Sequence, residues 1–152
     1  MKNIVFDLGR VVFSRDARKC TPEFIEFFSF VRDTPMPHFW NEYDRGTLSF
    51  DETVAELAAY RGVDEPTSRA MIADAIGLQE AIAPTERLIG DLKAAGYKLY
   101  VLSNMSREFI DFLRRIPVYG NFDGEVISCE EFVVKPEPRI YEILLSRYGL
   151  VP

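Results

Sequence analysis

Three short stretches of this chain hold residue types that together can transfer an anionic group. Asp7 closes the apolar run Ile4-Val5-Phe6, and Gly9 follows two residues later. Ser103-Asn104 closes a second apolar run, KLYVL at 98–102, and Lys135 stands in the later stretch VVKPEP. A carboxylate can attack as a nucleophile, and a hydroxyl with neighbouring backbone N–H groups can hold the oxygens of the group in transit. A fixed cation offsets charge on both partners. With Asp7 attacking in line, Ser103 and nearby amides on the equatorial oxygens, and Lys135 between them, the set matches what phosphoryl transfer requires. Each residue alone has a plainer reading: a turn cap for Asp7, an ordinary strand-to-helix turn for Ser103-Asn104, a solvated side chain for Lys135. It is the combination, with each member at a strand end, that points to chemistry.

The elements that must position these residues follow from pattern. The run 4–6 reads as a buried strand, with Asp7 at the rim where ligands of α/β sheets gather and Gly9 free to turn the backbone. After residue 84 apolar runs and helical periodicities alternate. Strands are predicted at 98–102 and 124–128, with helices at 85–95, 107–115 and 139–148. That alternation is the pattern of a parallel sheet with crossover helices. Residues 15 to about 83 read instead as helices without a strand. Thr21-Pro22 starts one whose apolar face runs from Phe24 to Val31, and prolines at 35 and 37 break it. Ser49 with Glu52 forms a capping box, and a last helix spans about 65–78. The expected architecture is α/β: a Rossmann-like core from 1–14 and 84–152, with a helical cap from 15–83 inserted after the first strand. The bonds before Pro136 and Pro138 are candidates for cis geometry.

Composition narrows the function classes. The formal charge of -6, without a basic cluster, argues against nucleic acid or an anionic membrane as partner. Neither a signal segment nor an apolar run of membrane-spanning length is present, so a cytoplasmic protein is expected. Cys20 and Cys129 are far apart, which suits a reducing compartment. A lone His38 excludes a Ser-His-Asp triad and a multi-histidine metal site. No Gly-rich dinucleotide or P-loop motif occurs.

The stretches FDLGRVV, VLSN and VVKPEPRIYEILL, in that order, resemble the three first motifs of the haloacid-dehalogenase-like hydrolases. The cap phrase EYDRGTLSFDE is similar to the branch of capped sugar-phosphate-type phosphatases. The resemblance implies a phosphoaspartyl intermediate on Asp7, with Ser103 and Lys135 as its catalytic companions. It also implies a Mg2+ ion held by the Asp7 side chain and the Gly9 carbonyl, and a small phosphorylated metabolite as substrate. Asn104 and Arg10 are the candidate substrate-binding residues, although a solvent-facing Arg10 is an equal reading. Trp40, Tyr43 and Arg45 lie in the cap, where selectivity is set, and Trp40 equally suits a cap core.

Two departures from the family pattern shape the expectations. Gly9 stands where most of these phosphatases carry a second Asp as general acid and base, which leaves the proton donor open; Asp16 is a candidate by proximity and a surface aspartate by its loop. The fourth motif, an acidic pair after a further strand that completes the metal site, does not occur before the chain stops at Leu150-Val151-Pro152. The expectation is a truncated form, or one completed by a partner, whose first strand is an exposed edge open to self-association. Two other functions stay open beside the phosphatase: a metal-free haloacid dehalogenase, and a non-catalytic interaction module pairing through that edge.

Overall fold

The segment KLYVLS is apolar on both of its faces, and five of its six positions are buried. In the computed structural model, which describes residues 2–151, it is β4 (Lys98–Ser103), the central strand of a parallel sheet. β1 (Asn3–Phe6) and β5 (Gly124–Ile127) flank it in the order β1-β4-β5, with Phe6 opposite Val101 and Ser103 opposite Ile127. The carboxyl ends of all three strands therefore meet at one edge, and Asp7 leaves β1 beside the end of β4. Helices α5 (Ala83–Ala94) and α6 (Arg107–Leu113) lie on the crossovers between the strands, and α8 (Pro138–Tyr148) follows β5.

The pleat divides the strand side chains between two packed faces. Phe6, Leu99, Val101 and Ile127 pack with Ile89 of α5 and with Ile110 and Leu113 of α6. On the opposite face Tyr100, Leu102 and Val126 lie under Ile140 and Leu144 of α8. β1 is the exposed edge expected for the first strand, not the wholly buried strand that the run Ile4–Phe6 alone suggests. Phe6 is buried but Val5 is 43 % exposed, because α8 covers β4 and β5 while β1 is an edge of the sheet among the described residues.

Between β1 and α5 the chain is mostly helical but not free of strands. β2 (Phe13–Arg15) and β3 (Gln79–Ala81) pair antiparallel, with Phe13 opposite Ala81. These three-residue strands are too short to show a period, and FSR and QEA carry no apolar run. The ribbon corrects the expectation of an all-helical stretch, and β2 runs across the expected boundary at 14/15. Within it lie α1 (Pro22–Phe27), α2 (His38–Arg45), α3 (Phe50–Arg61) and α4 (Glu65–Gly77). Local chemistry sets their ends. Thr21 Oγ1 accepts from the Phe24 N–H, Ser49 and Glu52 form the capping box, and Asp64 caps α4. The expected continuous helix over 24–31 stops at Phe27 and continues as a 3-10 turn (Ser29–Arg32). That change of pitch turns Phe24, Phe28 and Phe30 into one aromatic cluster with Trp40, Tyr43 and Phe109.

Gly46 ends α2 with φ +85, and a β-carbon there would stand 2.4 Å from the Cys129 carbonyl oxygen. Only glycine lets α2 approach the short helix α7 (Ser128–Glu131) this closely. The peptide bond before Pro136 is cis, as is that before Pro35, whereas the bond before Pro138 is not among the cis bonds.

Candidate active site

Asp7, Lys135, Ser103 and Asn104 are brought together at the carboxyl edge of the sheet. Asp7 Oδ1 accepts the Leu8 N–H at 2.8 Å, which fixes the carboxylate at the strand end. Its Oδ2 lies 3.1 Å from Lys135 Nζ, and the same ammonium donates to the Leu102 carbonyl at 3.1 Å. Asn104 holds the lysine in place from both sides. Its Oδ1 accepts the Lys135 N–H at 2.7 Å and its Nδ2 donates to the Lys135 carbonyl at 3.1 Å. The Asn104 amide is thus engaged with the main chain that carries the cation. Ser103 is buried, and its Oγ has no hydrogen-bond partner among the described residues. A buried hydroxyl without a partner costs about 1–3 kcal/mol.

The loop after Asp7 turns on Leu8, whose carbonyl accepts from the N–H groups of Val11, Val12 and Phe13. Arg10 holds the left-handed conformation at φ 60 and is exposed. It also lines the mouth of the cavity described below. Asp7 and the Gly9 carbonyl are oxygen donors within one loop. No cluster of three or more His, Cys, Asp or Glu side chains occurs among the described residues. Mg2+ at phosphate sites takes one or two carboxylates and fills its octahedron with substrate oxygens and water. The donor set fits such an ion only in part, as one carboxylate and one carbonyl.

A cavity of about 450 Å³ opens beside this edge, between the sheet loops and helices α1 and α2. Gly9, Arg10, Asn104 and Met105 border it on the sheet side; Phe24, Phe28 and Trp40 form the opposite wall. The two sides are bridged by polar contacts. Tyr43 donates to Glu108 Oε2 at 2.7 Å, Arg45 pairs with Glu137 at 2.7 Å, and Ser128 Oγ donates to the Asp44 carbonyl while accepting the Met105 N–H at 2.9 Å.

Asp44 is the functional candidate that sequence reasoning missed. Its side chain lines the cavity and is half-buried. Loss of hydration pushes its carboxyl up to about 7, against the opposing pull of a Ser106 backbone N–H. Spacing held the signal: Trp40, Tyr43 and Asp44 fall at i, i+3 and i+4 of α2, which places a carboxylate on the apolar face. Asp16, the candidate by proximity, is engaged elsewhere. It caps its own 3-10 turn and its side chain accepts from the Arg18 guanidinium, which holds its carboxyl down to about 2.

With this geometry in place, comparison with known proteins identifies the class. The family model described as haloacid dehalogenase-like hydrolase matches residues 1–152, and the chain belongs to that family. The sesquiterpene phosphatase astK of Aspergillus oryzae is 23 % identical over 147 residues, covering 96 % of this chain and 74 % of that protein. A HAD family enzyme of Bacteroides thetaiotaomicron, solved as a magnesium complex, superposes with a TM-score of 0.74 at 20 % identity; all of this chain and 80 % of that one are covered. A predicted HAD-like family hydrolase from Porphyromonas gingivalis gives a TM-score of 0.73 at 26 % identity over all of this chain and 78 % of its own. No described helix is long and apolar enough to cross a membrane.

Proposed function

We propose that this hydrolase is a Mg2+-dependent phosphomonoesterase that acts on a small phosphorylated metabolite through Asp7. The observation that carries the reading is the Asp7–Lys135 pair, with the buried, unpartnered Ser103 Oγ at the end of the neighbouring strand β4. That hydroxyl is where an equatorial phosphoryl oxygen accepts a hydrogen bond. Asp7 attacks phosphorus, the bond from phosphorus to the substrate alkoxide breaks, and the departing oxygen takes up a proton. Water then attacks the aspartyl phosphate, releasing inorganic phosphate and restoring the carboxylate. Lys135 offsets the charge that builds on Asp7 and on the phosphoryl oxygens, and Asn104 keeps the lysine on target. Asp7 and Gly9 would hold Mg2+, which supplies further positive charge to the phosphoryl group when bound. We assign the proton to Asp44, which faces the cavity in its protonated form up to about neutral pH. Arg10 stands at the cavity mouth as a contact for the substrate's anionic end.

The neighbours support this reading in kind: one curated relative is a phosphatase, and the Bacteroides enzyme is also solved with magnesium and inorganic phosphate. In the same reading residues 15–83 act as a cap over a core of 1–14 and 84–152, and the free thiols of Cys20 and Cys129 suit a cytoplasmic setting. Hydrolysis of p-nitrophenyl phosphate with and without magnesium tests the proposal. Magnesium-dependent release of p-nitrophenol is expected, and no release under either condition contradicts it.

One observation favours a second property. Val5 is exposed on an edge strand, an arrangement that invites pairing with a second copy. Light scattering over a concentration series is expected to show association that Val5→Lys reduces; a monomer at every concentration contradicts it.

A further inference from the structure

The walls of the cavity say which kind of phosphate ester the site takes, an inference that rests on the phosphomonoesterase reading above. Its lining is dominated by rings and thioethers: Phe13, Phe24, Phe28, Trp40, Phe109 and Met105. Three of the polar side chains among the liners are engaged with other partners. Arg15 donates through Nε to the Ala75 carbonyl at 2.7 Å, with its guanidinium 5.8 Å from the ring centres of Phe24 and Phe109. The Cys20 thiol donates to the Asp16 carbonyl, and the Asn104 amide is spent on Lys135. Three acceptors remain on the walls, the Asp44 carboxyl, the Ser14 hydroxyl and Gln79 Oε1, the last buried without a partner among the described residues. Arg10 and Arg32 line the same cavity from exposed positions and set positive charge at its rim in a chain whose net charge is -6.

A sugar carries a hydroxyl on nearly every carbon. Placed among these rings, most of its hydroxyls would lose water without gaining a partner, at about 1–3 kcal/mol each. A hydrocarbon body meets no such cost and gains from every ring it covers. We propose that the substrate is a phosphate monoester of an apolar alcohol, branched or aromatic, bearing at most one or two hydrogen-bond donors. The phosphoryl group sits against Asp7 and Ser103, the hydrocarbon fills the aromatic cavity, and a single donor reaches Gln79.

The test compares kcat/KM, in the presence of magnesium, for farnesyl monophosphate, glucose 6-phosphate and acetyl phosphate. Farnesyl monophosphate is expected to exceed glucose 6-phosphate by a hundredfold or more. Ile25 lines the cavity yet is 44 % exposed, so Ile25→Arg tests the wall without emptying the core. It is expected to lower the ratio of farnesyl to acetyl phosphate turnover at least tenfold. Glucose 6-phosphate turned over as well as farnesyl monophosphate, or an unchanged ratio in Ile25→Arg, overturns the inference and leaves the phosphomonoesterase reading standing. If no ester is hydrolysed, that reading fails instead, and binding decides the cavity. Trp40 is the only tryptophan and lines the wall. Its fluorescence is then expected to change with micromolar farnesyl monophosphate and not with glucose 6-phosphate; no change with the farnesyl ester overturns the inference.

Discussion

In the proposed site, Ser103 allows function to be separated from stability at a single atom. Its Oγ is buried and makes no hydrogen bond within the described chain, so the fold gains nothing from it. Ser103→Ala is therefore expected to leave the melting temperature unchanged or slightly raised, while phosphate release falls about 10²–10³-fold, as on loss of one preorganised donor. Thermal unfolding beside steady-state kinetics reads both. Asp44 makes the opposite trade. Its carboxyl is raised from 3.8 to about 7 by burial, so the native chain holds a proton that the unfolded chain has already released across that window. Stability contributed by this group is thus present below pH 4 and is lost as pH rises towards 7 and beyond. Asp44→Asn is expected to flatten that fall and to unfold at a higher temperature than wild type at pH 8. In the same variant hydrolysis of esters with poor leaving groups drops about 10²–10⁴-fold, with less effect on p-nitrophenyl phosphate, whose leaving group scarcely needs the proton. Equal losses on both substrates would remove Asp44 from proton transfer.

At the scale of elements, the close approach of α2 to α7 fixes how the aromatic wall faces the sheet. Gly46 permits it through both a left-handed backbone and the missing β-carbon. Gly46→Ala drives a methyl group into the Cys129 main chain and is expected to cost at least about 2 kcal/mol, read as a lowered midpoint in denaturant. Most elements were legible because each carries a strong local signal. The capping box at Ser49, the Thr21-Pro22 start and the largely apolar KLYVL all read directly. What escaped was non-local. The β2–β3 ribbon joins residues far apart in the chain through strands too short to have a period. The site divides along the same line. Asp7 and Ser103 are readable because one follows a strand and the other ends one, and Lys135 because of its stretch VVKPEP, although the structure sets it after α7 and not at a strand end; Asp44 and Gln79 matter only once α2 and β3 are seen to share a cavity with the Asp7 loop.

Of the three apolar clusters among the described residues of the molecule, two meet along a joint that carries polar contacts beside Met105 and Phe109. One lies under the sheet, and the other gathers the rings of α1 and α2 with Phe109 of α6. The seam between them is crossed by Tyr43–Glu108, Arg45–Glu137 and the Ser128 hydroxyl, contacts that can exchange with water as the two parts shift. Such a joint suits a site that must admit an ester and then shed water around the reacting phosphorus. Arg45→Ala removes one tie and is expected to raise KM more than it lowers kcat.

The central claim is that Asp7 carries the phosphoryl group. An acid quench during turnover of p-nitrophenyl phosphate with magnesium, followed by an intact mass spectrum, tests it most directly. The account predicts a population of chain heavier by one phosphoryl group in the wild type, mapping to the peptide that contains Asp7, and neither adduct nor turnover in Asp7→Asn. Wild-type rates in Asp7→Asn, or an adduct on another residue, would contradict it.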